Sequence, residues 1–103
     1  MREVVIDGRN WNSVDNVYDA FFEAVGAPSW HGRNFNALRD GIATGRINKI
    51  EVPYLIRIKN YDSVGTEAKT MAAGFVQLIK DLRKSGCPVD IEIENGEIRS
   101  RAE

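Results

Sequence analysis

Hydrophobic and polar residues alternate in three short runs of the chain, and this spacing predicts β-strands. The runs are 3–7 (EVVID), 51–59 (EVPYLIRIK) and 89–94 (VDIEIE). In the second run every other residue from Val52 to Ile58 is apolar and falls on one side, and Pro53 fits the start or the edge of a strand. Three short strands are therefore expected, separated by long stretches with a different pattern.

The stretch after the first strand has helical spacing. Apolar residues recur there at i, i+3, i+4, i+7 and i+11, which predicts a helix with one buried face. Ser13 can cap this helix, and Gly26 and Pro28 end it. The predicted buried face consists of Val14, Val17, Tyr18, Phe21 and Val25.

The longest predicted helix begins with Thr66 as its cap and runs to about Ser85, with Gly86 at its C-terminal end. Its apolar stripe again has the helical period and is expected to face the core. The stripe consists of Ala68, Met71, Ala72, Phe75, Leu78, Ile79 and Leu82.

A shorter helix is predicted within residues 29–42 (SWHGRNFNALRDGI), which hold the chain's only histidine. Its apolar residues, Phe35, Leu38 and Ile42, fall on one face. Because residues three and four apart are neighbours on a helix, its polar residues at 33, 36 and 40 are expected together on the other face.

The order strand, helix, helix, strand, helix, strand predicts an α/β fold with parallel strands and right-handed crossovers. The chain of 103 residues is expected to form a single domain, 1–103, with one sheet face covered by helices. Asn95-Gly96 is a turn signal, so residues 95–103 form either an extra strand, with Ile98 returning opposite Ile93, or a polar tail.

Composition and charge narrow the function. The 14 basic and 15 acidic residues give a formal net charge of -1, so the basic excess typical of a nucleic-acid-binding protein is absent. Cys87 is the single cysteine, which excludes an intramolecular disulfide and a cysteine-based metal cluster, and its thiol is expected in the core. The N-terminus is too polar for a signal peptide and no apolar run approaches the roughly 20 residues of a membrane span, so a cytoplasmic protein is expected.

One hypothesis for the short helix is a small enzyme that uses His31. Acid–base catalysis needs a base and an oriented partner, and Asp40 or Asp7 could supply the partner. The sequence contains none of the motifs for a phosphate loop, a dinucleotide site, a zinc protease or a nucleophile elbow. The alternative is that His31 is a half-buried ring that packs where the short helix begins.

A second hypothesis is a binding surface. Trp30 and His31 precede the helix and cannot both be core easily, and rigid, partly exposed rings are typical of interface hot spots. Gly32 allows the backbone to approach a partner, Asn34 or Asn36 can cap the helix or offer an amide, and Asp40 offers a carboxylate. Each residue also has a structural alternative. Trp30 could lie in the core, Asn34 could serve only as a helix cap, and Asp40 could form an ion pair with Arg33 or Arg39 that stabilises the helix by about 0.2–0.5 kcal/mol.

The chain resembles the barstar family of ribonuclease inhibitors in three stretches. The most specific is WHGRNFNALRD, residues 30–40, in which two aromatic residues, glycine, asparagine and aspartate fall in the family's register. KDLRKSGCPVDIEI and the early VVIDG also match, so the resemblance covers residues 1 to about 94. It implies a two-layer barstar-like fold with a three-stranded parallel sheet in the order 1-2-3.

The resemblance also implies a mode of action, in which the short helix and the preceding loop enter the active site of a ribonuclease. Asp40 matches the aspartate that takes the place of the substrate phosphate, and Trp30 and His31 match the rings that stack on the enzyme. The remaining partner-binding residues implied are Gly32, Asn34, Asn36 and Asp81, the last of these facing the enzyme's basic rim.

The partner implied is a secreted or toxin ribonuclease, most closely a guanyl-specific one, with no direct contact to nucleic acid or membrane. A monomer is expected when the chain is free, and neither catalysis nor a cofactor nor a metal is expected.

Three positions depart from the family pattern. Asn36 replaces a frequent aspartate, Arg39 replaces a frequent aromatic residue, and Arg33 adds positive charge to a surface that should meet a positive site. Weaker electrostatic steering follows, because steering depends on opposed fields. The alternative function is that of a barstar-fold immunity or interaction protein for a polymorphic toxin, using a different surface.

Overall fold

The computed structural model describes residues 2–29, 31–44 and 48–95. In these ranges three strands and three helices follow one another in the predicted order, with α1 and α2 consecutive, and short 3-10 turns follow the first two strands. The elements are β1 (Arg2–Asp7), α1 (Val14–Val25), α2 (Phe35–Ala43), β2 (Tyr54–Lys59), α3 (Thr66–Lys84) and β3 (Val89–Ile93). Trp30 and the predicted extra strand after Asn95 lie outside the described residues.

The three strands form one parallel sheet in the order β1-β2-β3, which confirms the predicted topology. Val4, Ile56 and Ile91 lie side by side in the register and are all buried. Burial alternates along β1, so one face of the sheet packs on the helices. The structure is therefore the expected two-layer α/β fold.

Three local predictions need correction. The strand β2 begins at Tyr54 and not at residue 51, since Pro53 has no N–H to donate to the sheet. Gly65, and not Thr66, is the cap of α3, and it makes no side-chain capping bond. Val14 is 46% exposed, although the helical pattern placed it in the buried face.

The opposite face of the sheet is uncovered by the described helices and is rich in charge. Arg57 on the central strand forms ion pairs with Glu3 of β1 at 3.1 Å, and with Glu92 at 3.4 Å and Glu94 at 2.6 Å. Val5 beside it is 49% exposed. The cation thus links all three strands through carboxylates.

The helices α1, α2 and α3 enclose the core. Phe21 of α1 and Phe75 of α3 meet with ring centroids 5.1 Å apart, and Leu38 and Ile42 of α2 are buried beside this core. Cys87 packs against the core but is only partly buried, where full burial was expected, and this partial burial raises the pKa of its thiol.

Candidate functional site

Asn34 fixes the beginning of α2. Its backbone is extended, and its side-chain Oδ1 accepts a hydrogen bond from the Ala37 N–H at 2.8 Å. The Leu38 N–H donates to the Asn34 carbonyl at 3.0 Å. The Asn34 side chain therefore satisfies one of the N–H groups that a helix start leaves unpaired, while its carbonyl accepts the first hydrogen bond within the helix. The capping role, left open between two asparagines, belongs to Asn34.

The helix α2 has a buried and an exposed face. Leu38, Gly41 and Ile42 face inward, whereas Asn36 and Asp40 are exposed on the outer face. Among the residues that the structure describes, the Asp40 carboxylate makes neither a hydrogen bond nor an ion pair. The predicted pairing of Asp40 with an arginine is therefore wrong, and its charge is directed to solvent.

His31 lies inside this arrangement. Its side chain is 9% exposed, its ring centroid is 4.6 Å from that of Phe22 on α1, and its Nδ1 is 3.1 Å from the Gly32 carbonyl oxygen. On the α2 side, a Cβ atom added to Gly41 would lie 2.5 Å from Nε2. The ring therefore packs between two helices, more deeply than the half-buried position at the helix start that was the structural alternative, and it is not an exposed aromatic anchor.

Two acids were proposed as acid–base partners of His31. Asp40 is exposed on α2, and Asp7 lies at the end of β1. Asp7 at the end of β1 accepts hydrogen bonds from Arg9 N–H and from the Asn60 side chain, each at 2.9 Å. These two bonds, the Asn60 one first, lower the pKa of Asp7. The Asp7 carboxylate is therefore engaged in the turn that follows β1.

Gly32 is exposed and lies close to the cap of α2. A Cβ atom there would be 3.2 Å from the Ala37 Cβ and 3.3 Å from the Asn34 Nδ2. Such a side chain would crowd the capping amide, so a glycine leaves the start of α2 compact and its backbone accessible.

Arg33 is not part of the α2 surface, which corrects the prediction that it shares a face with Asn36 and Asp40. It precedes the cap and its guanidinium pairs with Asp15 at 3.3 Å and with Asp19, both on α1. The hydrogen bond to Asp19 raises the pKa of Arg33 above its ordinary value. The positive charge expected at the binding surface is thus compensated by α1.

Asp81 lies on α3, on the side that meets α2. Phe35 of α2 packs on Gly74, where a Cβ atom would lie 2.8 Å from the Phe35 Cζ. Asp81 follows Gly74 by seven residues, or two helical turns, which places it on the same side about 10 Å along the axis. It is exposed and accepts a hydrogen bond from the Gln77 amide at 2.9 Å.

The described residues were compared with the side-chain clusters that bind metal ions. In this part of the chain no three His, Cys, Asp or Glu side chains converge as a metal ion would require. Within the same ranges, none of the helices combines the length and the apolar character needed to cross a bilayer.

Sequence reasoning missed the partners that hold the site in place. Asp15 and Asp19 are spaced i, i+4 on α1 and so form an acidic pair, but their partner is 14 to 18 residues away. Gly41 and Gly74 give no local signal beyond an isolated glycine within a helix, so the side chains that pack on them are seen only in the structure.

Comparison with known proteins finds a matching protein family and a relative. A protein-family model described as Barstar (barnase inhibitor) matches residues 1–94. A protein of Bacillus subtilis (strain 168), named "Putative ribonuclease inhibitor YrdF", is 26% identical over 84 residues, which are 82% of this chain and 88% of that protein. The family match includes all described strands and helices.

Proposed function

This chain belongs to the barstar family, and from that membership we propose that it inhibits a ribonuclease by inserting α2 and the preceding residues into the nuclease active site. The target is a secreted or toxin ribonuclease of bacteria, with the guanyl-specific type as the first candidate. The inhibitor acts in the cytoplasm by binding alone, with no catalysis or cofactor of its own.

The exposed carboxylate of Asp40 is the observation that carries this proposal. A nuclease site that binds phosphate presents positive groups and preplaced hydrogen-bond donors, and charge-assisted bonds to a carboxylate are the strong ones. Within the described ranges Asp40 has no internal ion pair to give up on binding. Buried Leu38 and Ile42 hold the helix that presents it.

The neighbours of Asp40 have separate proposed roles. Asn36 is exposed one turn earlier on α2 and offers an amide to the same site. Gly32 and Asn34 form the compact start of the helix, and Trp30, outside the described residues, is proposed from the sequence as the packing anchor. Asp81 provides a peripheral charge toward the basic rim.

The role of His31 differs from the one that the family resemblance implied. Because the ring is packed between α1 and α2, we assign it to the support of α2 and not to stacking on the nuclease. This leaves Asp40 and Asn36 as the described side chains that enter the active site.

Inhibition of barnase by the wild type and by Asp40→Asn tests the proposal, with Glu23→Gln as the control. Both variants remove one exposed negative charge with little change of shape, but Glu23 lies on α1. Hot-spot energetics predict that Asp40→Asn loses about 2 kcal/mol or more of binding and that Glu23→Gln loses little.

Two other results would contradict parts of this assignment. If the wild type inhibits and Asp40→Asn inhibits equally well, another surface binds, and the charged open face around Arg57 becomes the candidate. If the wild type inhibits neither barnase nor a toxin ribonuclease encoded beside this gene, then the active-site plug itself is wrong.

A further inference from the structure

We propose that Arg33 is a positioning residue, which fastens the segment before α2 to α1 so that the inhibitory surface is formed before the nuclease arrives. The inference rests on the proposed function, because the fastened segment belongs to the surface that enters the active site. The contacts that support the positioning role are made within the free chain, so they do not depend on the proposed function.

Every described polar contact of the Arg33 guanidinium is with α1. Nη1 donates to the Asp15 carbonyl oxygen at 3.4 Å and to the Asp15 carboxylate at 3.3 Å, while Nη2 donates to the Asp19 carboxylate. The guanidinium carbon also lies 5.9 Å from the Tyr18 ring centroid and 5.7 Å from that of Phe22. The planar fork is thus held by two anions and two aromatic rings, a set that a lysine ammonium cannot reproduce.

The contacts lie on one face of α1. Asp15, Tyr18, Asp19 and Phe22 are spaced i, i+3, i+4 and i+7, which brings them to one side of the helix. Phe22 also packs on His31, so the same ring supports both ends of the short segment 31–33. The segment is therefore anchored at two points on one rigid element.

This anchoring leads directly to the helix that carries Asp40. Asn34, the residue after Arg33, caps α2 through the Ala37 N–H. A displacement of Arg33 would move the cap and expose the first N–H groups of α2, because a helix start depends on such side-chain acceptors. The orientation of Asp40 therefore depends on contacts made by a residue seven positions earlier.

The arrangement also decides which charges a partner meets. Arg33 is 44% exposed, and Asp15 and Asp19 are 76% and 58% exposed, so one cation with two anions leaves the group at -1. A positive nuclease therefore meets a slightly negative group where the sequence alone places a cation. Screening over about 10 Å at 0.1 M salt confines this compensation to the neighbourhood of α1.

The test combines the free protein and its complex with barnase. Arg33→Met removes the clamp, Arg33→Lys keeps only its charge, and Asp15→Asn with Asp19→Asn removes both of its anions. Arg9→Met is the control, since Arg9 is exposed, pairs with Asp7 and carries the same charge. Hydrogen exchange of the Ala37 N–H reports on the cap, and stopped-flow kinetics report on binding.

In the free protein, Arg33→Met and the double aspartate variant are expected to raise Ala37 exchange about tenfold, as the loss of exposed ion pairs and cation–π contacts implies. Arg33→Lys is expected to fall between these variants and the wild type, and Arg9→Met to match the wild type. Unchanged exchange in both clamp variants would overturn the proposal whether or not the protein inhibits barnase.

In the complex, Arg33→Met is expected to dissociate about tenfold faster without slower association, because it removes a repelling cation while loosening the segment. If Arg33 were only an unfavourable surface charge, Arg33→Met would bind more tightly, and that result would overturn its positioning role. If the wild type does not bind barnase, the proposed function fails for this target, and the exchange result alone decides whether the clamp exists.

Discussion

The imidazole of His31 lies directly against the backbone of Gly41, so that a Cβ atom at position 41 would be 2.5 Å from Nε2. The ring also contacts Phe22, with 4.6 Å between the centroids. A single side chain thus sets the separation of α1 and α2, and a residue without a side chain on α2 makes room for it.

Gly41→Ala is expected to destabilise the fold. Alanine is the better helix former by about 1 kcal/mol, but the clash with a buried ring forces α2 away from α1 and costs about 1–3 kcal/mol. Urea unfolding of both proteins measures the balance. In a His31→Ala background the clash is absent, so Gly41→Ala should be neutral or stabilising there. A stabilising effect of Gly41→Ala in both backgrounds would contradict the packing of His31 on Gly41.

Tyr54→Phe is expected to stabilise the protein. The Tyr54 side chain is 1% exposed, and its hydroxyl has no hydrogen-bond partner among the described residues. An unsatisfied buried group costs about 1–3 kcal/mol, so its removal should raise the free energy of unfolding by about 1 kcal/mol. A loss of stability instead would show that the hydroxyl has a partner.

The same tyrosine should make the fold sensitive to alkali. Burial raises the pKa of Tyr54 above its ordinary value, so the folded state keeps the neutral phenol while the unfolded chain ionises from about pH 10. The stability is therefore complete below that pH and falls as the pH rises further. Tyr54→Phe should show a shallower loss in unfolding measured between pH 9 and about 11.5.

Asp81→Asn is expected to weaken inhibition mainly through slower association. Asp81 is exposed on α3, about 10 Å along the axis from the point where Phe35 of α2 packs. Charges at the rim of an interface affect the association rate more than the dissociation rate. The loss of affinity should stay below about 1 kcal/mol and shrink at high salt. A faster dissociation as large as that of Asp40→Asn would place Asp81 inside the active site.

Asn36→Asp is expected to speed association with barnase at low salt. It adds a carboxylate to the exposed face of α2 in the first turn, where a negative charge suits the helix dipole. Repulsion from Asp40 one turn later costs only about 0.2–0.5 kcal/mol. Asn10→Asp adds the same charge in the 3-10 turn after β1, outside α2. An equal gain from that control would attribute the effect to net charge alone.

Most of the fold could be predicted from the regular spacing of apolar residues along the chain. Every residue predicted for the stripe of α3, from Ala68 to Leu82, is buried, because a long helix repeats its period often enough to define a face. Ser13 was predicted as the cap of α1 and does cap it, accepting from the Asn16 N–H. The start of β2 was predicted too early, because the apolar alternation extends back to Val52 across Pro53, which cannot donate to the sheet.

The orientation of the candidate site was less predictable than its location. Residues 30–40 were recognised from their sequence, but whether His31 points inward depends on Phe22 and Gly41, which are distant from it in sequence. The partner of Arg33 is likewise decided by how α1 passes the segment, and a local helical pattern wrongly placed Arg33 beside Asp40. Contacts between elements, rather than propensities within them, set these directions.

The carboxylates around Arg57 also affect whether copies of the protein associate with one another at high concentration. If two sheets met through their uncovered faces, each copy would bring Glu3, Glu92 and Glu94 toward the same three groups of the other. One arginine in each copy could not compensate both sets, and the charges would lose water without gaining partners. The open face is thus a self-repelling one, which discourages stacking while the outer face of α2, the proposed binding surface, stays exposed.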